Sequence, residues 1–143
     1  MNTVNSWWRW FVHCSYCTCL CDQPGFDSDR YFSLMSSLAD TASNRLVTGL
    51  RFVKQDRVVH VQIQQAQALP RAVINASTLE WKPVQPVSIP QFLEESVLDG
   101  PGYATLRYEE RAIDLDDLVA PKDNVVTGVR FRKLGGHLNL VSS

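Results

Sequence analysis

Leu46-Val-Thr-Gly-Leu-Arg-Phe-Val-Lys54 and Val125-Val-Thr-Gly-Val-Arg-Phe-Arg-Lys133 are one segment written twice. Val, Thr, Gly, Arg, Phe and Lys match in register, and Leu/Val exchanges fill most of the rest. The likeness runs on: Val59-His-Val61 corresponds to Leu138-Asn-Leu140 at the same offset. Self-similarity of this extent marks a duplicated supersecondary unit, read at 46–63 and again at 125–140. The residue types are those of strands. Leu46, Leu50 and Phe52 share one face, as do Val125, Val129 and Phe131. Across a turn (Lys54–Arg57, Lys133–Gly136) the chain returns, with Val59, Val61 and Ile63 expected inward and His60, Gln62 and Gln64 outward. In the second copy Leu138 and Leu140 face inward and Asn139 outward. Gly135-Gly136 suits a tight hairpin that needs positive φ. Gly49 and Gly128 suggest a bulge or a close backbone approach. Arg51 and Arg130 fall on the face opposite Phe52 and Phe131, where a solvated or cross-strand-paired role is favoured over ligand binding.

Working outward, the predicted fold is all-β and mainly antiparallel, a β-sandwich or β-prism-like arrangement containing the duplicated hairpin. A Trp- and Cys-rich segment at 1–24 precedes a β-rich domain over 25–143. The second copy stops near the end of its return strand, so the sequence is expected to be truncated at its C-terminus. Between the copies, Asp27–Leu34 is a short helix or a strand entry. Thr78–Lys82 reads as a strand with Leu79 and Trp81 on one face, and Pro70 closes the first hairpin region. Gln91–Leu98 is a candidate helical turn, and Asp99-Gly-Pro-Gly102 a turn. Tyr103–Tyr108 resumes an alternating pattern. Ile113, Leu115 and Leu118 are expected buried, with Asp114, Asp116 and Asp117 in water. That carboxylate cluster lacks EF-hand spacing and reads as a solvated edge, not a calcium site.

Composition narrows the function classes. Hydrophobic residues make up 45% and charged residues 20%, the balance of a chain that buries a core and not of a disordered one. A formal net charge of -1 and the lack of a Lys/Arg run give no footing for nucleic acid. No apolar stretch is long enough to span a membrane. Trp7, Trp8, Trp10 and Phe11 are interrupted by Arg9, so no secretory signal pattern is evident.

The four cysteines, Cys14, Cys17, Cys19 and Cys21, lie together. They fit short-range or interchain disulfides in an oxidising compartment, or a thiolate site for zinc or copper beside His13, or inert thiols. Structural zinc sites separate two ligand pairs by a long loop, which this spacing does not. His13, His60 and His137 have no motif-spaced partners, and Glu94/Glu95 and Glu109/Glu110 are merely adjacent. No phosphate-cradling loop, nucleophile elbow or metalloprotease helix is present. No catalytic residue and no cofactor is assigned. Asn75-Ala-Ser77 is an N-glycosylation sequon that acts only in a secreted chain.

The Cys-x-x-Cys-x-Cys-x-Cys-Asp run, Ser28-Asp-Arg-Tyr-Phe-Ser-Leu34 and the two Val-Thr-Gly-[Leu/Val]-Arg-Phe units together resemble an arthropod family of predicted secreted proteins carrying a domain of unknown function. The resemblance spans most of Cys14–Leu140. It implies an extracellular setting and supplies no activity. The repeated strand is also similar in pattern to strands of prism-type lectins. The expected function is an extracellular, non-enzymatic binding or structural module. Its partner would be an extracellular protein or a glycan, with interchain disulfides from the Cys run and Arg51 and Arg130 as candidate contacts. The alternative is a Cys-thiolate metal-binding protein.

Overall fold

A computed structural model describes residues 29–89, 99–122 and 124–142, and the backbone of four short strands before them. Those strands are β1 (Asn2–Val4), β2 (Trp7–Arg9), β3 (Val12–Cys14) and β4 (Cys17–Cys19), pairing β1 with β4 and β2 with β3. The main body is built from β5 (Tyr31–Ser33), β6 (Ser37–Leu38), β7 (Arg45–Gln55), β8 (Val58–Leu69), β9 (Val73–Ile74), β10 (Glu80–Trp81), β11 (Tyr103–Thr105), β12 (Ile113–Asp114), β13 (Gly128–Leu134) and β14 (His137–Ser142). Three short 3-10 turns, at Thr41–Ser43, Pro70–Ala72 and Ala76–Thr78, are the only helical elements among the described residues.

Both copies of the repeat fold as antiparallel hairpins, β7–β8 and β13–β14. Each turns on two residues at positive φ: Asp56 and Arg57 at 48° and 72°, Gly135 and Gly136 at 57° and 82°. This backbone matches the right-handed twist of the flanking strands. The glycines adopt it freely, whereas Asp56 and Arg57 do so against the Cβ clash that normally excludes it. Thr48 is extra in its ladder, since the register shifts between Val47 and Gly49. The bulge anticipated at Gly49 is therefore real. Gly128 supplies the anticipated close approach, as β6 crosses against it. The second ladder runs from Leu134–His137 to Val129–Ser142, so Val125 and Val126 precede it.

Strand β8 is the spine of the first sheet. One edge carries β7 along most of its length; the other is shared by β5, running parallel at Val58–Val59, and β10, antiparallel at Gln64–Gln65. β11 completes that sheet beside β5, and β9 pairs at the end of β8. The second sheet runs β12-β14-β13-β6, with β12 parallel to β14. The fold is all-β. Its two parallel pairings make both sheets mixed, which alternation within single strands does not encode.

The sheets share one core of Ala39, Val61, Ile63, Ala104, Val129, Phe131 and Leu138, with Phe32 packed against it. Phe131 receives the edge of Phe32 at 5.8 Å and stacks on Phe52 at 6.1 Å. Such ring pairs add to the burial of apolar area. Gln65 is buried here too, but satisfied: Asp40 N donates to its Oε1 at 2.9 Å, and its Nε2 donates to Glu80 at 2.8 Å. Asp27–Leu34 resolves as strand over Tyr31–Ser33.

Several expected faces differ. His60 was expected in water and is 2% exposed. It shares its sheet face with Val58, and there Tyr31, Val58, Val87 and Tyr103 form a second cluster with Ile89 against it. The Pro-punctuated stretch after β10 thus supplies apolar cover to a face that alternation assigns to solvent. For the same reason Tyr103, Ala104 and Thr105 are all buried instead of alternating. Leu115, expected inside, is exposed, while Ile113 and Leu118 pack on the core. Only Glu80 and Trp81 of Thr78–Lys82 are strand, and Leu79 is exposed. Gln91–Leu98 lies outside the described residues.

Candidate functional site

The duplicated motif is used in two opposite ways. In the second hairpin Val129 and Phe131 are 0% and 1% exposed; their counterparts Leu50 and Phe52 in the first are 41% and 53% exposed. The residues are the same kind and occupy equivalent positions on equivalent strands. What differs is cover: Val129 and Phe131 lie in the shared core with Val61, Ile63 and Phe32, and β6 borders β13 at Gly128 and Val129, whereas β7 is bordered only by β8 among the described residues. The expectation that Leu50 and Phe52 lie inside is corrected by this arrangement. They lie on the core side of β7, opposite Ile63 and Val61 in the ladder, yet remain exposed, with Phe52 stacked on Phe131.

The opposite face of the same hairpin is polar and ordered. Arg51 Nε donates to Gln62 Oε1 at 2.7 Å, directly across the ladder. Its guanidinium lies over the Trp81 ring at 4.1 Å. Gln62 Nε2 in turn donates to the Lys82 carbonyl at 2.8 Å, and Thr48 Oγ1 donates to Gln64 Oε1 at 3.3 Å. Cation–π stacking and a cross-strand hydrogen bond together hold the Arg51 side chain flat on the sheet. Arg51 is thus placed in a cross-strand pair, and it makes no ion pair with a described carboxylate. Arg130, its counterpart, is exposed opposite Val141. Trp81 and Gln62 join Arg51 because β10 docks on β8, a pairing that sequence distance conceals.

Charged groups elsewhere act as fasteners. Lys54 pairs with Asp29 at 2.5 Å. Its counterpart Lys133 sits between Asp99 at 2.8 Å and Glu110 at 2.6 Å, and Asp99 Oδ1 also accepts from the Thr105 amide. Hydrogen bonds to Asp99 and Glu110 raise the Lys133 pKa above its usual value. Burial pushes the Asp99 carboxyl upward, but Lys133, the Thr105 amide and the Arg107 charge outweigh it and leave the pKa lowered. The segment from Asp99 to Glu110 is thereby tied to the second hairpin. His137 Nδ1 lies 3.1 Å from Asp114 across the parallel β12–β14 pairing.

The metal and disulfide candidates Cys14, Cys17, Cys19 and Cys21, with His13, have side chains outside the described residues. Among the described residues no group of three or more His, Cys, Asp or Glu is placed to hold a metal ion. No described helix is long and apolar enough to cross a membrane. Asn75 caps the turn at Ala76–Thr78, its Oδ1 accepting from the Ser77 amide at 3.2 Å and the Ser77 hydroxyl at 2.7 Å.

Residues 1–63 match the model of a family described as a domain of unknown function, DUF4803. The matched stretch takes in the cysteine run, the Ser28–Leu34 block and the first hairpin through Ile63; the second hairpin lies beyond it. No curated protein and no solved structure matches the chain significantly.

Proposed function

We propose that this chain is an extracellular, non-enzymatic binding module whose contact surface is the first hairpin. One observation carries the reading: Leu50 and Phe52 are exposed where the same motif, repeated, is buried. Large apolar side chains left at a surface mark a contact site, and a partner that approaches the outer edge of β7 meets Leu50 and Phe52 on one face and the ordered polar strip on the other. Arg51, fixed by Gln62 and Trp81, contributes a positioned cation with little conformational entropy left to lose. A protein is the partner that suits this surface better than a glycan. The exposed aromatic, Phe52, has one face committed to Phe131, and Trp81 has one face committed to Arg51.

The test applies the purified protein to a peptide array and a glycan array, alongside Phe52→Ser and the control Arg132→Ser on an exposed position of the second hairpin. Expected are peptide signals that Phe52→Ser abolishes and Arg132→Ser retains. Identical signals from all three proteins, or none on either array, would remove the first hairpin as the contact surface.

A further inference from the structure

The second hairpin shows what the first one lacks. In a hairpin with a two-residue turn, the pair flanking the turn exchanges both hydrogen bonds, and alternate residues then aim their N–H and C=O away from the partner strand. On β7 the flanking pair is Gln55–Val58, so Leu50, Phe52 and Lys54 present their backbone groups outward. On β13 the equivalent edge is occupied. There β6 lies antiparallel, with Leu38 opposite Gly128 and Ser37 opposite Val129. Gly49 and Leu50 are the counterparts of Gly128 and Val129, and no described strand lies against them.

The two glycines sharpen the comparison. A Cβ on Gly128 would collide with the Leu38 side chain and come within 2.9 Å of the Ser37 carbonyl oxygen, so glycine is required there because β6 passes. A Cβ on Gly49 would meet nothing nearer than the Gln64 amide oxygen at 3.2 Å, the far end of a flexible side chain. Nor does Gly49 lie in the left-handed region that would call for glycine. Among the described residues, then, no passing backbone calls for the absence of a side chain at Gly49, whereas at the equivalent place it admits a strand.

We propose that the outer edge of β7, from Gly49 to Lys54, binds an extended peptide of a partner protein by antiparallel strand addition, in the register that β6 adopts on β13. This rests on the reading of the first hairpin as the contact surface. The peptide's chemistry follows from the faces of β7. A small polar residue sits opposite Leu50, as Ser37 does opposite Val129. An apolar residue sits opposite Phe52, and an acidic one opposite Arg51, whose cation no described carboxylate neutralises. A second copy of β7 is the wrong occupant. Arg45, Arg51 and Lys54 are its only charged residues, so a second β7 has no acid to set opposite Arg51. Main-chain hydrogen bonds would supply the affinity and the alternating side chains the specificity.

The experiment titrates the isotope-labelled chain with a synthetic N-acetylated peptide of the sequence Ser33–Asp40, the segment containing β6, and follows the backbone amides. Shift changes are expected at Leu50, Phe52 and Lys54. The peptide with Ser36→Glu, which sets an acid opposite Arg51, should bind roughly two- to fivefold tighter. N-methylation of the peptide at Ser33, Met35 and Ser37 removes its amide donors to that edge and sets methyl groups in the ladder without touching the protein, and should abolish the shifts. Gly49→Ala should abolish them too, at an unchanged melting temperature. Absence of shifts at those three amides, or full binding by the N-methylated peptide, overturns strand addition. If the Phe52-dependent array signals persist in that event, the contact surface stands and only its mode is wrong; if they are absent as well, both fall.

Discussion

Truncating the two equivalent phenylalanines offers a measurement with its own internal control. Phe131 is fully buried between Phe32 and Phe52, so Phe131→Ala removes a whole core side chain and leaves a cavity with little freedom to collapse. Substitutions of this kind cost about 3–5 kcal/mol. Phe52 keeps about half of its surface in water and can leave no closed void. Phe52→Ala therefore forfeits about half of the transfer free energy of a phenylalanine, on the order of 1 kcal/mol, together with part of a ring stack worth about 0.5–1.5 kcal/mol. The expected gap between the two variants is roughly 2 kcal/mol. Urea unfolding followed by intrinsic fluorescence and by circular dichroism gives both values, provided the slopes agree with wild type. In a domain of this size Phe131→Ala should melt about 10 °C lower. Equal losses from the two variants would refute the assignment of opposite burial to the two copies, and with it the contact surface.

Other outcomes follow from the same structure. Gly128→Ala should destabilise by about 1–3 kcal/mol through its collision with β6, while Gly49→Ala shifts the unfolding midpoint little; equal losses would argue against the difference between their edges. Gly136→Ala places a Cβ at φ 82° and should cost about 1–2 kcal/mol, measured by the same titration. Burial outweighs the Asp56 charge and the Gln55 backbone at His60 and lowers its pKa from 6.5. Below about that pH the unfolded chain takes up a proton that the folded chain refuses, so stability is level above pH 6.5 and falls as pH drops from there toward the folded value. His60→Gln should flatten that part of the stability profile. When the chain is directed through a secretory pathway, enzymatic deglycosylation should lower its mass, and Ser77→Ala should abolish the change; an unmodified secreted chain would remove Asn75 as a glycan site.

The repeat was readable because both halves of a hairpin leave local marks. Alternation sets the strands, and Gly135-Gly136 announces a turn with positive φ. The first turn, expected within Lys54–Arg57, narrows to Asp56-Arg57, since the strand runs on through Gln55. The errors concern what lies beyond the hairpin. Leu50 and Phe52 have the alternation of core residues, but β6 pairs as a strand with β13 and no described strand pairs with the outer edge of β7. His60 sits at a polar position of its strand and is buried on the face where Val87 and Ile89, residues in a stretch whose prolines read as loop, pack with Val58. The partnership of Arg51 with Gln62 follows from register alone, whereas the stacking of Trp81 depends on β10 reaching the far edge of β8. Periodicity records which side of a strand faces where. It carries nothing about what the rest of the chain lays on either side.

The ladder between β5 and β11 has a kinetic consequence. It joins residues 31–33 to residues 103–105 and is extended by hydrogen bonds from Leu34 N to Gly102 O and from Leu106 N to Arg30 O. Both hairpins close over two-residue turns and can form within microseconds on their own. The β5–β11 pairing must close a loop that contains the whole first hairpin, and its entropic cost falls due before its contacts are made. Folding should thus proceed from two early, independent nuclei to one late closing step. Substitutions at Tyr103 or Ala104 should act chiefly on the unfolding rate, while those in the hairpin turns should slow folding.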